Sequence, residues 1–501
     1  MKIFRTSDIK QIDHYTIVNE PVASIDLMKR AAFEFYFKVM QYLPLDVPIR
    51  IFAGTGNNGG DAFFVAQHLL RHYPDVHVYF CHQNNTISEN CKQAKDIFSN
   101  AFPTNVTEIS NENNLPFLSS TDYIIDGLFG SGLNRPLSGF YGEIVKHINN
   151  ANATVFSIDI PSGLMGEDNG QNISEHIIRA DYTLTFQFPK LAFLFPENDV
   201  FVGEWEVLNI GLHTKAIEDT PTTFYLTDYT FVNQHIKKRT KFSHKGTYGH
   251  ALLIGGSYGK MGAVVLAARG CLRSGVVLLT VHVPACGYEI MQISVPEAMV
   301  ISDSNKKHVT ETVEISSYNA VGLGIGLGKS PETVNALRSF LQKTTFPCVF
   351  DADALNIFSE NNELLNLVPK NSIFTPHSKE LERLIGYSAN SYEKIKKMIS
   401  FAIKYQIYVL LKGAHTVVVS PDGNCWFNST GNPGMATGGS GDVLCGIITG
   451  LLAQQYSPFE AAVLGAYFHG KAGDVAAEKR SESSMIASDI ADELRIENPV
   501  P

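Results

Sequence analysis

Short β-branched runs that end in glycine-rich, acidic loops and then give way to helical patterns recur along this chain, and that alternation leaves few folds open. Ile49-Arg50-Ile51-Phe52-Ala53 reads as a strand, followed by a glycine loop, an apolar helix from Asp61 to about Tyr73, and a strand over residues 76–80. Further strands fit residues 123–125, 155–158 and 182–186. Strands alternating with helices require right-handed crossovers and a parallel sheet. The pattern breaks over residues 212–239, a polar stretch without clear periodicity, which sets a domain boundary near residue 220. A second series then begins with a strand at 251–254, Gly255-Gly256-Ser257, a helix over 261–274 and a strand over 276–283. Residues 320–323, 348–350, 372–374 and 407–411 continue it, and 416–419 and 425–427 flank the turn Pro421-Asp422-Gly423 as a hairpin. There is no internal repeat or low-complexity tract. The fold class expected is α/β in two domains, residues 1–215 and 225–501.

Length agrees, since 501 residues at roughly 150 per domain leave room for two large domains. The net charge of −10 works against polyanion binding, and Lys237-Lys238-Arg239 with Lys241 reads as a solvated linker, so no nucleic-acid partner is expected. Seven cysteines, at 81, 91, 271, 286, 348, 425 and 445, are scattered without a C-x-x-C pair. That pattern rejects a disulfide framework and a zinc cluster and favours a reducing compartment. The start, Met1-Lys2-Ile3-Phe4-Arg5-Thr6, has no apolar targeting region, and no run of about 18 apolar residues occurs. A soluble, cytoplasmic protein with no membrane partner is expected.

Gly54-Thr55-Gly56-Asn57-Asn58-Gly59 satisfies G-x-G-x-x-G between a strand and a helix, the spacing of dinucleotide-binding turns. An acid about 20 residues on should then meet a ribose hydroxyl, but the next strand ends in Phe80-Cys81-His82-Gln83. A simple dehydrogenase therefore loses weight. Asn57, Asn58 and Asp61 add oxygens suited to a cation or a hydroxylated ligand, though they would also serve as turn formers. Two other strands end alike, Asp126 before Gly127-Leu128-Phe129-Gly130-Ser131-Gly132 and Asp159 before Ile160-Pro161-Ser162-Gly163. Strand ends converge on one crevice in a doubly wound sheet, although both aspartates would also fit as caps.

Together Asn57-Asn58-Gly59-Gly60-Asp61, the segment from Asp126 to Gly132, and Asp159-Ile160-Pro161-Ser162-Gly163 resemble the NAD(P)H-hydrate epimerase domain, over about residues 1–215. The resemblance implies a dinucleotide cradled by Asn57, Asn58, Gly59, Gly60 and Asp61 on one side. On the other it implies Gly130, Ser131, Gly132, Leu133, Asn134, Arg135 and Pro136. It implies potassium on Asn58, Asp126 and Ser162, with Asp159 facing the hydroxylated ring carbon as a catalytic residue. The chain departs from the family at Ala62 and Phe63, where glycine is usual, and at Met28-Lys29-Arg30-Ala31-Ala32.

In the second half, Asn432-Pro433-Gly434-Met435-Ala436-Thr437-Gly438-Gly439-Ser440-Gly441-Asp442 runs into an apolar helix. Glycines there free several N–H groups to point at one spot, an anion hole reinforced by the positive helix end. Asp442 suits either a cap or a base that takes a proton from a hydroxyl beside the phosphate. Without Gly-Lys-Ser/Thr this is not a P-loop; it resembles the ribokinase-like superfamily. Gly322-Leu323-Gly324-Ile325-Gly326-Leu327-Gly328 and Thr375-Pro376-His377-Ser378-Lys379-Glu380-Leu381 are similar to segments of the NAD(P)H-hydrate dehydratases. There Gly324, His377 and Glu380 would contact the hydrate together with Asp442. Lys412, Gly413, Ala414, His415 and Thr416, with Gly438, Gly439, Ser440 and Gly441, would hold ADP or ATP. Asp351-Ala352-Asp353 matches as well and would hold Mg²⁺ near phosphates.

The two resemblances in this order match the bifunctional NAD(P)H-hydrate repair enzymes. They imply an epimerase in residues 1–215 and an ADP- or ATP-dependent dehydratase in 225–501, with Asp159 and Asp442 as the catalytic carboxylates. Partners would be NADH and NADPH hydrates and an adenine nucleotide, and a homo-oligomer is expected. The alternative is a ribokinase-class small-molecule kinase with an incidental N-terminal binding module.

Overall fold

The computed structural model describes residues 1–83, 86–243 and 248–497. Two compact units emerge, one of Lys2–Thr222 with Asn390–Tyr392, the other of Met1, Thr223–Ala389 and Glu393–Pro501.

The first unit carries a seven-stranded, wholly parallel sheet. Its order is Val106–Ile109, Val76–Cys81, Ile49–Ala53, Tyr123–Gly127, Thr154–Ile158, Tyr182–Phe186, Glu204–Leu208. Side chains of successive strand residues leave opposite faces, and each face has its own core. Ile49, Ile51 and Ala53 pack with Phe63, Phe80 and Phe98 on one side, while Phe52, Ile124 and Val155 pack with Phe140 and Ile144 on the other. The chain leaves Ile49–Ala53 in one direction along the sheet and returns to Tyr123–Gly127 to proceed in the other. The loops after these two strands therefore part, and the crevice between them is where an open α/β sheet receives its ligand.

In this unit one helix starts earlier than the sequence reading has it. The helix begins at Asn57, not Asp61, and runs Asn57–Leu69. Asn and Gly are poor helix formers, so propensity favours a loop, but packing overrides it. A Cβ on Gly59 would stand 1.9 Å from the Gly54 carbonyl oxygen, and one on Gly60 would stand 2.6 Å from Met28 Sδ. Gly59 lets the helix press onto the strand end behind it, and Gly60 makes room for Met28 of helix Ser24–Val39.

In the second unit the strands run Phe224–Leu226, Cys425–Phe427, Val417–Val419, Tyr408–Leu411, Ile373–Phe374, Val349–Phe350, Ala320–Leu323, His250–Ile254, Leu278–Val283, Met299–Ser302. All pairings are parallel except those of Val417–Val419 with its two neighbours, the expected hairpin, where Gly423 takes φ +89°. The segment read as a linker past residue 223 instead supplies Phe224–Leu226, paired parallel to Cys425–Phe427, and the helix Tyr229–His235. Three residues are too few to show a period in sequence, although Phe224 and Leu226 are buried. Helix Ser440–Ala453 is buried on nearly every side, as its apolar run demands, against Met261–Arg273 and Pro458–Arg480. Among the described residues no helix is long and apolar enough to cross a membrane.

Gly59→Ala should lower stability by about 3 kcal/mol, the upper end of the overpacking range, whereas Gly56→Ala, with nothing within 4 Å of the added methyl, should cost no more than about 1 kcal/mol. Urea midpoints of the two variants at unchanged slope check this.

Candidate functional site

A cavity of about 290 Å³ opens at the carboxyl ends of the first unit's strands. Asp159 ends strand Thr154–Ile158 with φ +65°, a conformation a residue bearing a Cβ adopts only when its surroundings hold it there. What holds it is Lys190, itself 1% exposed: its ammonium lies 2.7 Å from Asp159 Oδ1, 2.8 Å from Thr185 Oγ1 and 3.2 Å from the Phe188 carbonyl oxygen. The Phe186 N–H donates to the same carboxylate oxygen at 3.1 Å. Burial alone would raise the Asp159 pKa, but the Lys190 charge and the hydrogen bonds from Lys190, Phe186 and Ser131 outweigh it and hold the carboxyl below its ordinary value.

Asp126 is buried completely. Ser162 donates its N–H (2.8 Å) and hydroxyl (2.6 Å) to it, Ser157 its hydroxyl (2.9 Å) and Leu128 its N–H (3.2 Å). Burial still pushes its pKa up, against those hydrogen bonds, and it makes no ion pair among the described residues. The Phe129 N–H donates to Ser162 Oγ at 2.8 Å, and the Asn58 side chain lies beside the next residue, 3.3 Å from where a Gly130 Cβ would be. Asn58 Nδ2 is buried without a hydrogen-bond partner. Asn58, Asp126 and Ser162 thus share one neighbourhood of oxygen and amide groups.

Of the other residues anticipated around a dinucleotide, Asn57, Asp61 and Ser131 line the cavity. Gly59 and Gly60 are accounted for by packing, and Asn134 and Arg135 are exposed outside the cavity lining. The departures from the family pattern resolve structurally. Phe63 stacks into the core with Phe80 and Phe98, Ala62 is buried, and Met28 and Ala31 line the cavity while Lys29 pairs with Asp26 at the surface. Sequence reasoning missed Lys190 and Asp13. A lysine set in Phe188-Pro189-Lys190-Leu191-Ala192-Phe193 just past a strand end is a charge in an apolar run, which was the available clue.

The second unit gathers its charges at the same edge of its own sheet. Gly439, at φ +95°, caps helix Ser440–Ala453 without a side-chain bond, so Asp442 in the first turn is not the cap. Burial pushes Asp442 up to about 6; Asp351, Asp353 and Glu380 add to the rise and Lys412 opposes it. The Lys412 ammonium lies 2.8 Å from Asp351 Oδ1 and would be 3.1 Å from a Cβ on Gly441, so it overhangs the helix mouth. Burial works against its charge, but Asp351 and Glu380 hold its pKa above the ordinary value. Gly324, at φ +120°, sits 2.0 Å (as a Cβ) from the Asp351 carbonyl, and Asp353 accepts the Gly328 N–H at 2.8 Å, which binds that glycine loop to the Asp351–Asp353 turn.

His377 caps helix Ser378–Ile385, its Nδ1 accepting from Lys379 N–H at 3.1 Å, and Glu380 accepts the His377 N–H at 2.9 Å. Its imidazole is half exposed, with Nε2 3.5 Å from Glu380 Oε1. Thr416 Oγ1 closes a turn on Gly413, whose neighbour Ala414 is exposed, and His415 Nδ1 lies 3.3 Å from the Asn428 carbonyl oxygen. Sequence reasoning also missed His469. Burial lowers it to about 4, so the neutral ring donates from Nε2 to the Ser440 carbonyl oxygen at 2.9 Å and anchors the glycine turn.

Comparison with known proteins matches both halves. A family model described as NAD(P)H-hydrate dehydratase covers residues 251–495, and one described as YjeF-related protein N-terminus covers residues 24–192. The chain is 33% identical over 511 residues to the bifunctional NAD(P)H-hydrate repair enzyme Nnr of Moorella thermoacetica, spanning 99% of this chain and 96% of that one. It is 32% identical to that of Coxiella burnetii, spanning 99% of both, and 31% identical to that of Escherichia coli, spanning 90% and 85%. Among solved structures it is similar to an ADP/ATP-dependent NAD(P)H-hydrate dehydratase of Bacillus subtilis co-crystallised with ATP/Mg²⁺, at 30% identity and TM-score 0.48 over 54% of this chain and 96% of that one.

Lys190→Met should remove about 3–5 kcal/mol at pH 7, the cost of leaving one member of a buried pair uncompensated. Because Asp159 is depressed in the folded state, its contribution is fully present above the unfolded value of 3.8 and is lost as pH falls below it. Denaturation midpoints at pH 7 and pH 3 should therefore differ between wild type and variant much less at the lower pH.

Proposed function

This chain belongs to the family of bifunctional NAD(P)H-hydrate repair enzymes, and on that premise we propose which of its residues carry each half of the repair. The protein is an NAD(P)H-hydrate epimerase and dehydratase. We assign epimerisation to the unit of residues 2–222 and nucleotide-dependent dehydration to residues 223–497. The observation that carries the assignment is that each sheet edge presents a largely buried carboxylate beside a lysine ion pair, Asp159 with Lys190 and Asp442 with the Lys412–Asp351 pair.

Hydration of the nicotinamide ring leaves a hydroxyl on the carbon next to the ring nitrogen. In the second unit Asp442, ionised at neutral pH, takes the proton from that hydroxyl as its oxygen attacks the terminal phosphoryl group of ADP or ATP. The N–H groups at Gly438, Gly439, Ser440 and Gly441, with the Lys412 ammonium, stabilise the charge that gathers on the phosphoryl oxygens. The ring nitrogen lone pair then expels phosphate, and loss of a neighbouring ring proton restores the double bond. His377 and Glu380 flank the ring, and the turn from Gly413 through Thr416 receives the adenosine end. Asp351 and Asp353, each paired with a lysine here (Lys412 at 2.8 Å, Lys260 at 3.3 Å), would hold Mg²⁺ against the nucleotide phosphates, where it would offset their charge.

In the first unit Asp159 faces the hydroxylated carbon from the cavity wall, with Asn57, Asp61 and Ser131 around the dinucleotide. Potassium fits Asp126, Ser162 and Asn58. A wholly buried carboxylate with only neutral donors around it lacks one positive charge, the donors are hard oxygens, and the unpartnered Asn58 amide would offer its oxygen on turning over. When bound, the ion neutralises Asp126 and fixes the loop that carries Ser131. A cytoplasmic location belongs to the same proposal and rests on seven free thiols.

Asp442→Asn should lower dehydration of the S hydrate by ~10²–10⁴-fold, and Asp159→Ala should slow conversion of R to S hydrate toward the uncatalysed rate. Recovery of reduced nicotinamide absorbance from separately supplied S and R hydrates reads both. A dehydration rate within tenfold of wild type in Asp442→Asn, or R-hydrate repair keeping pace with S-hydrate repair in Asp159→Ala, overturns the corresponding half.

A further inference from the structure

Helix Thr6–Asn19 forms one wall of the first unit's cavity, and Asp13 is the carboxylate it brings there. Asp13 lies mid-helix, too far from either end to cap it. Asp61 faces the same cavity and is 8% exposed. Neither makes a hydrogen bond or ion pair with protein among the described residues, whereas Asp159 is matched by Lys190. Three carboxylates thus share a cavity with one buried ammonium, and Lys10 and His14 complete its titratable lining. Carboxylates so crowded cannot all stay ionised near neutral pH. Burial, helped by Asp159 and opposed by Lys190, raises Asp13 to about 6; burial, with Asp159 and Asp13, holds Asp61 well above its ordinary value.

We propose that Asp13 is the second catalytic residue of epimerisation, protonating the departing hydroxyl on one face of the ring while Asp159 takes the proton of the water that adds to the other. The proposal rests on the reading of Asp159 above. As the C–O bond breaks, its electron pair goes to oxygen, which takes the Asp13 proton and leaves as water. The ring nitrogen lone pair closes a C=N bond, and the resulting cation faces ionised Asp159. A second water bonds to that carbon from the opposite face and pushes the C=N pair back to nitrogen. Once attached, this water is strongly acidic, so even a carboxylate of depressed pKa removes its proton. One water is lost and one gained, the carbon is inverted, and the proton moved from Asp13 to Asp159 returns through solvent. Asp13 suits the acid role better than Asp61: it is only partly buried at the cavity wall, where its proton exchanges with water, while Asp61, within helix Asn57–Leu69, is 8% exposed.

The test uses the full chain with R-NADH hydrate in ¹⁸O-labelled water, following the S hydrate by chromatography and mass. Wild type should incorporate one labelled oxygen per inversion, and its kcat/KM should fall as pH rises through about 6, where Asp13 loses its proton. Asp13→Asn should lower kcat by ~10²–10⁴-fold with KM within threefold and without that alkaline limb, and Asp13→Glu should restore most of the rate. Inversion without oxygen exchange, a kcat within tenfold of wild type in Asp13→Asn, or a loss confined to KM overturns the proposal. Circular dichroism reports whether Asp13→Asn folds; if it does not, an unaltered pH limb in Asp13→Glu overturns the proposal and a displaced one supports it. Activity lost in Asp159→Ala but kept in Asp13→Asn sinks this inference alone, whereas the converse sinks the role given to Asp159.

Discussion

Parallel strands can be joined only by crossovers, so every strand of a parallel sheet ends at the same edge. Both units of this protein obey that constraint, and their chemistry follows from it. Asp126, Asp159 and Lys190 lie far apart in sequence, yet three neighbouring strands, Tyr123–Gly127, Thr154–Ile158 and Tyr182–Phe186, deliver them to one edge. Asp351, His377 and Lys412 reach the second edge in the same way, from Val349–Phe350, Ile373–Phe374 and Tyr408–Leu411, each at or just past its strand's end.

Crowding charge at a buried edge creates an electrostatic problem that the two units solve differently. In the first, a lysine buried to 1% exposure locks onto Asp159, so that carboxylate stays ionised while Asp13 and Asp61 rise. In the second, the lysine locks onto Asp351, and Asp442 is left with a pKa near 6. The same ingredients therefore yield a firmly ionised carboxylate with acids around it in one site, and a free base in the other. Which aspartate the lysine pairs with decides which one is left available.

Much of this was legible in the sequence. The parallel series, the strand ends at Asp126 and Asp159, the glycine turn before Asp442 and the hairpin at Gly423 depend on local residue patterns. What was not legible depends on contacts between distant residues. The start of Asn57–Leu69 is set by Gly59 against Gly54 and Gly60 against Met28, which no propensity reports. Strand Phe224–Leu226 exists because Cys425–Phe427 offers it an edge. Lys190 meets Asp159 across 31 residues, and His469 meets Ser440 across 29. Asp13, inside an ordinary amphipathic helix, reads as a surface acid until the rest of the cavity lining is known.

The unmatched groups also explain where stability has been given up. A carboxylate whose folded pKa is raised binds its proton more tightly folded than unfolded, so each such group makes the fold less stable as pH rises from its unfolded value toward its folded one. Asp13, Asp61 and Asp442 all carry that penalty at neutral pH; Lys190 relieves Asp13 and Lys412 relieves Asp442 only in part. A structural acid in the same place would have acquired a full set of hydrogen bonds, as Asp303 did from three backbone N–H groups and a hydroxyl. Groups that remain strained in a fold otherwise well satisfied are those whose partner arrives with the substrate. By that criterion the carboxylates facing the two sheet edges, more than any glycine motif, mark where this protein meets its ligands.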